Sequence, residues 1–227
     1  MSAVLEVEPI GHSLRTDDED RRFVVHANWS KYLQFLQARG ANYRELRLTF
    51  DRGRLEFMSI SSKHDTCRYL LGRIVDTVTE ELNIAVVGQG ETTIRREDLD
   101  RGFEPDAWYY IENADQMQGI DRELNFEIDP APDLAIEIEI SRSLLDRIGL
   151  YAAVGVREIW QFDGSIVRFL ELQPEGEYEE VSISRAIPAL SAVEVNRILN
   201  EAGRESTTSY FRGLRVWIRD HLVQTGK

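Results

Sequence analysis

The run Pro132-Asp133-Leu134-Ala135-Ile136-Glu137-Ile138-Glu139-Ile140 limits what this chain can fold into more than any other stretch. Side chains alternate between the two faces of a strand. Leu134, Ile136, Ile138 and Ile140 therefore share one face, and Asp133, Glu137 and Glu139 share the other. The aliphatic face demands a core. The acidic face sets two glutamates side by side, which is tolerated where the face is wet, where arginines neutralise it, or where a cation sits on it. A second acidic element, Phe103-Glu104-Pro105-Asp106-Ala107-Trp108-Tyr109-Tyr110-Ile111, puts Asp106 directly after a proline at the start of an aromatic-rich strand. Pro-Asp on one strand followed by Glu-x-Glu on the next is the pattern a metal-dependent nuclease would show.

A chain of 227 residues suits one domain with a full core, and no internal repeat interrupts it. The net charge of −13 weighs against a broad nucleic-acid-binding surface, because non-specific affinity comes from Lys and Arg neutralising phosphates. A local basic patch remains compatible with it. The single cysteine, Cys67, rules out an internal disulfide and reads as a small apolar residue within a helix. No apolar run approaches the ~20 residues that span a bilayer, and no basic segment followed by an apolar one opens the chain. A cytoplasmic protein without a membrane segment is expected.

Residues 1–25 are polar, include Asp17-Asp18-Glu19-Asp20, and read as a loosely ordered lead-in. Trp29, Tyr32, Leu33 and Leu36 follow at helical spacing, with Gly40 as the stop. Leu46, Leu48 and Phe50 alternate with polar residues, then Asp51-Arg52-Gly53 turns the chain into Leu55–Met58, a hairpin. Ser61 or Ser62 caps a long helix whose apolar positions, Cys67, Leu70, Leu71, Ile74, Val75, Val78 and Leu82, keep the 3.6-residue period. Short strands are expected at 84–87 and 92–94; Gly88-Gln89-Gly90 lacks a following helix and reads as a bend rather than a dinucleotide-binding turn. After the two acidic strands, Ser141 or Ser143 caps a helix carrying Leu144, Leu145, Ile148, Tyr151 and Ala152, stopped at Gly155. Asp163-Gly164 joins a second hairpin, a further strand lies near 178–183, and helices close the chain over 191–203 and 207–222. The order predicts an α/β fold, a mixed β-sheet flanked by helices.

Asp106, Glu137 and Glu139 suit a hard cation, since Mg²⁺ takes oxygen ligands and keeps water positions open. The competing reading is an acidic strand edge in solvent. Arg147, in the helix after the Glu137 strand, is placed to orient a phosphate or to make an ion pair with Asp146, Glu137 or Glu139; its charge is fixed, so it is no proton donor or base. His64 and Asp65 open the long helix, where Asp65 is favoured by the helix dipole and is a candidate ligand through water. Arg95, Arg96 and Arg101 precede the Asp106 strand as candidate phosphate contacts or as a solvated, ion-paired rim. No zinc spacing, nucleophile elbow, phosphate-binding loop or catalytic cysteine pattern is present.

Four motifs in order, Gly-Glu-Thr-Thr, Phe-Glu-Pro-Asp with Tyr-Tyr-Ile, Pro-Asp-Leu-Ala-Ile-Glu-Ile-Glu and Tyr-Ala-Ala-Val-Gly-Val-Arg-Glu-Ile-Trp, resemble the bacterial Uma family of restriction-endonuclease-like proteins, within the PD-(D/E)xK nuclease superfamily. The resemblance spans roughly residues 26–190. It implies a restriction-endonuclease-like αβββαβ core over 26–190, with 191–227 as a helical extension packed on the same domain. It also implies a Mg²⁺-dependent DNA endonuclease, a hydrolase of phosphodiesters, with Mn²⁺ as a substitute and with Asp106 and Glu137 as ligands. Asp65 is a further ligand candidate, Glu139 and Arg147 join the catalytic set, and Arg95, Arg96 and His64 would meet the substrate. Glu139 stands where the superfamily often has lysine, and Arg147 stands about where this family carries one in the following helix. A homodimer would cut both strands, with the hairpin around Asp163-Gly164 and the last helix, through Tyr210, Phe211, Leu214 and Trp217, as its apolar contact surface. The alternative is a nuclease-fold binding or regulatory protein that has lost catalysis.

Overall fold

The computed structural model describes residues 19–40, 45–89, 92–122 and 124–223. The lead-in up to residue 18, and Gly90 and Glu91 of the first motif, lie outside the described residues.

Among the described residues, two sheets and six α-helices make up the fold, the short α3 spanning Ala114–Met117. The first sheet is antiparallel and holds β1 (Arg21–His26), β3 (Arg54–Ser59), β2 (Leu46–Asp51), β6 (Arg101–Phe103) and β5 (Ile94–Arg96), in that spatial order. β1 falls where the sequence suggests a loose lead-in. The strand forms because β3 offers it a full six-residue ladder, and Phe23 stacks on Phe57 at 4.8 Å. The β2–β3 turn places Arg52 and Gly53 both at positive φ, which matches the twist of a two-residue hairpin. α1 (Trp29–Arg39) covers the apolar face of this sheet, where Tyr32, Leu48, Phe50, Leu55 and Phe57 form a small core.

The second sheet runs β11 (Tyr178–Val181), β10 (Val167–Leu172), β9 (Glu158–Phe162), β8 (Leu134–Ile138), β7 (Ala107–Tyr110) and β4 (Val87–Gln89). β8 and β9 are parallel, joined through α4 (Arg147–Val154), and β7 and β8 are antiparallel. With α2 (Ser62–Leu82) ahead of β4, the chain traces an αβββαβ path through α2, β4, β7, β8, α4 and β9, and β5 and β6 leave it for the first sheet.

β8 is buried from end to end. Leu134, Ile136 and Ile138 join the larger core with α2, α5 (Ala192–Glu201) and α6 (Thr207–His221), while Ala135 packs with Leu150, Tyr151 and Val154 of α4. Each large aliphatic side chain so buried contributes about 1.5–3 kcal/mol. The alternation therefore serves two different layers, and Glu137 projects toward the α4 side.

Two local expectations shift. α4 begins at Arg147, not at Ser141 or Ser143, because Asp146 accepts from Gly149 N at 2.9 Å as its cap. Ser143 instead donates to Glu56, which also receives Leu144 N at 2.7 Å and Arg22 at 2.9 Å, so the loop between β8 and α4 is tied to the first sheet. The strand expected at 84–87 forms at Val87–Gln89.

Candidate active site

The site lies where the polar face of the β2–β3 hairpin meets the acidic ends of β7 and β8. Arg47 and Thr49 of β2 and Glu56 of β3 are all nearly fully buried, although they occupy the polar positions of an alternating pattern. Their face is turned inward.

Asp106 sits just before β7, where Pro105 ends the passage from the first sheet to the second. The β7–β8 register pairs Ala107 with Ile136, so Asp106 and Glu137, one step further, stand opposite each other. Asp106 is only 2% exposed. Its Oδ2 accepts from Ile138 N at 2.8 Å, and its Oδ1 meets His64 Nε2 at 2.7 Å. The other ring nitrogen of His64 meets Asp20 at 3.0 Å, and Asp20 in turn accepts from Ser61 N, the cap of α2. Burial alone would lower the His64 pKa, yet Asp106 and Asp20 at its two nitrogens raise it to about 9. Burial would raise Asp106, but His64, Arg47 and the Ile138 amide hold it at about 2. Asp20, His64 and Asp106 thus form a buried carboxylate–imidazolium–carboxylate chain.

Glu137 is held differently. Arg147 grips it through both oxygens, Nε to Oε1 at 2.8 Å and Nη2 to Oε2 at 2.6 Å, and Tyr151 donates its hydroxyl to Oε2 at 2.6 Å. The remaining arms of the guanidinium reach Thr49 Oγ1 at 2.8 Å and the Glu104 carbonyl at 3.1 Å. Its plane lies near the rings of Phe103 and Tyr151. Burial would lower the Arg147 pKa, but Glu137 dominates and raises it; burial and Glu137 raise Tyr151 well above the usual phenol value. Arg147 therefore stays charged, Tyr151 stays a donor, and the two sheets are bridged through one side chain.

The other sequence-predicted residues spread out from this centre. Glu139 lies at its edge, accepting from Ser143 N and from Gln161 Nε2. Asp65 is exposed and paired with Arg68, so the structure does not bring it to Asp106 and Glu137. His64 is fully buried as the partner of Asp106. Arg96 pairs with Asp98, while Arg95 is exposed beside Trp29, Glu97 and Glu127. Arg101 pairs with Asp51. Sequence reasoning missed Asp20, Thr49, Glu56, Glu104 and Tyr151. Glu56 and Thr49 carried a signal, since acids and hydroxyls on the second face of a hairpin imply either solvent or a polar layer. Asp20, inside an acidic run, carried none.

This is the arrangement of a restriction-endonuclease-like α/β fold with its acid pair on adjacent strands. The chain belongs to the Uma2 family: the family model described as "Putative restriction endonuclease" matches residues 29–200. Among solved structures, a "putative nuclease belonging to DUF820" from Anabaena variabilis is 19% identical, with 67% of this chain and 90% of that chain covered and a TM-score of 0.44. A comparison with curated proteins finds no match.

Such a family implies a divalent metal. Asp106 and Glu137 are hard oxygen ligands of the right type. Their arrangement does not fit. Every oxygen of the pair already accepts from a protein donor, both charges are neutralised by His64 and Arg147, and both groups are closed to solvent. Among the described residues, no group of three or more His, Cys, Asp and Glu side chains is placed to hold a metal ion. Among the same residues, no helix is long and apolar enough to cross a membrane.

Proposed function

We propose that this protein is a nuclease-fold binding or regulatory protein directed at DNA, with its acid pair held shut so that it engages the nucleic acid without hydrolysing it. The observation that carries the reading is the two-oxygen grip of Arg147 on Glu137, which fills the place where a catalytic centre needs open coordination positions. DNA as the partner rests on family membership. With a net charge of −13, contact must come from local basic surface rather than from the overall field. Supercoiled, linear and single-stranded DNA incubated with the protein under Mg²⁺ or Mn²⁺ should be retarded on a gel but neither nicked nor cut.

A second reading is supported by the family and by the opposition of Asp106 and Glu137 on adjacent strands: a Mg²⁺-dependent DNA endonuclease hydrolysing phosphodiesters. On that reading Asp106 and Glu137 are the essential acids, Glu139 is auxiliary, and two copies act on a duplex. Cleavage by the wild type that disappears in Asp106→Ala would establish it in place of the first.

A further inference from the structure

Away from the acid centre, α2 and α6 enclose a cleft of about 400 Å³. Its lining is Tyr69 and Arg73 from α2 with Thr207, Thr208, Phe211, Arg212 and Arg215 from α6, and includes no carboxylate. That is unusual for so acidic a chain. α6 follows the last residue of the family match, so this half of the cleft is built by a segment beyond the matched region.

The three guanidiniums are not equivalent. Arg215 is fixed by Glu80 at 2.8 Å and Glu81 at 3.0 Å, so its charge is largely compensated. Arg73 lies over the ring of Phe211 at 4.6 Å, and Phe211 is buried, so the guanidinium rests on a rigid platform. Asp76, further along α2, is close enough to feel the Arg73 charge but makes no ion pair with it within 4.0 Å. Arg212 is exposed and likewise has no carboxylate within that distance among the described residues. Two guanidiniums without an ion-pair partner within 4.0 Å among the described residues, and two threonines, thus line one concavity. A planar donor fork matches the oxygens of a phosphate, which accepts several charge-assisted hydrogen bonds at once. Beside them Tyr69 leaves 44% of its surface open, a ring on which a base can stack.

We infer that the α2–α6 cleft is a nucleotide-phosphate site, with the phosphate held by Arg73 and Arg212 and the base on Tyr69. The ligand is either a free nucleotide or the phosphorylated end of a strand. This inference is independent of the state of the acid centre. Titration calorimetry on the full chain, with inorganic phosphate, AMP and a short single strand with and without a 5′-phosphate, tests it.

AMP should bind saturably with a dissociation constant of about 1 mM or tighter. Arg212→Glu, at an exposed position that leaves the fold intact, should weaken it about tenfold or more, whereas Lys31→Glu, an equal charge change on α1, should not. Tyr69→Ala should weaken AMP and leave inorganic phosphate unchanged. Preference for the phosphorylated strand end over AMP would select the strand as occupant, and the reverse would select the free nucleotide. No saturable heat with any of these ligands, or AMP binding that Arg212→Glu and Lys31→Glu alter equally, would overturn the assignment.

Discussion

Arg147 and Glu137 form a two-point ion pair across the helix–strand crossover, at 2.8 and 2.6 Å, with the guanidinium 7% and the carboxylate 3% exposed. Replacing the arginine alone leaves a buried carboxylate with only Tyr151 as partner, and losing one member of such a pair costs about 3–5 kcal/mol. Arg147→Ala should lower the denaturation midpoint accordingly. Arg147→Met combined with Glu137→Leu should recover most of the loss, since no charge is then stranded. A double variant no more stable than the single one would show that the pair is not the unit of stability.

The Asp20–His64–Asp106 chain makes stability depend on pH in a defined direction. His64 is raised from 6.5 to about 9 in the folded state, so its contribution is complete below pH 6.5 and is lost as pH rises through 9. Asp106 is lowered from 3.8 to about 2, so its contribution is complete above pH 3.8 and is lost as pH falls toward 2. Both are fully present between about pH 4 and 6.5, where the melting temperature should peak. The alkaline loss, on the order of 3 kcal/mol, should vanish in His64→Gln. An equal decline between pH 6.5 and 9 in that variant would place its origin elsewhere.

Gly102 on β6 tests the packing of the first sheet. A Cβ there would lie 2.4–2.7 Å from the hydroxyl and ring of Tyr32, the fully buried tyrosine of α1. Gly102→Ala should destabilise the protein by about 1–3 kcal/mol, measurable by urea unfolding. A neutral result would mean that α1 moves freely on the sheet.

An apolar contact surface on the last helix, expected from Tyr210, Phe211, Leu214 and Trp217, is not on the outside. Tyr210, Phe211 and Leu214 are buried against α2 and the core, and Trp217 is half-buried, with Arg197 over its ring and His221 stacked on it. That face offers no dimer interface. Light scattering should give the same mass for wild type and Val216→Asp, a change on the exposed side of α6. A wild-type dimer that this substitution dissociates would make the exposed side of α6 an interface.

What the sequence disclosed depended on range. Periodicity located α2, both hairpins and the buried β8, because each is set by residues within a few turns or strand positions of one another. The pairing of Asp106 with Glu137 was legible from motif order. The ion pair of Arg147 with Glu137 was among the readings open at Arg147, but Asp20 and Thr49 were not legible, because they reach His64 and Arg147 only once the segments around the first sheet close on the second. His64 and Asp65 make the same point at short range. Neighbours on a helix point about 100° apart, so one can face the acids while the other pairs with Arg68 in solvent.

On the function proposed above, Arg147 and His64 keep the acid pair shut to a metal. Calorimetric titration of wild type and Glu137→Ala with Mn²⁺, at concentrations well above those that fill weak sites, tests it directly. No heat is expected in the wild type beyond that of the variant. A saturable wild-type site that Glu137→Ala abolishes would contradict it.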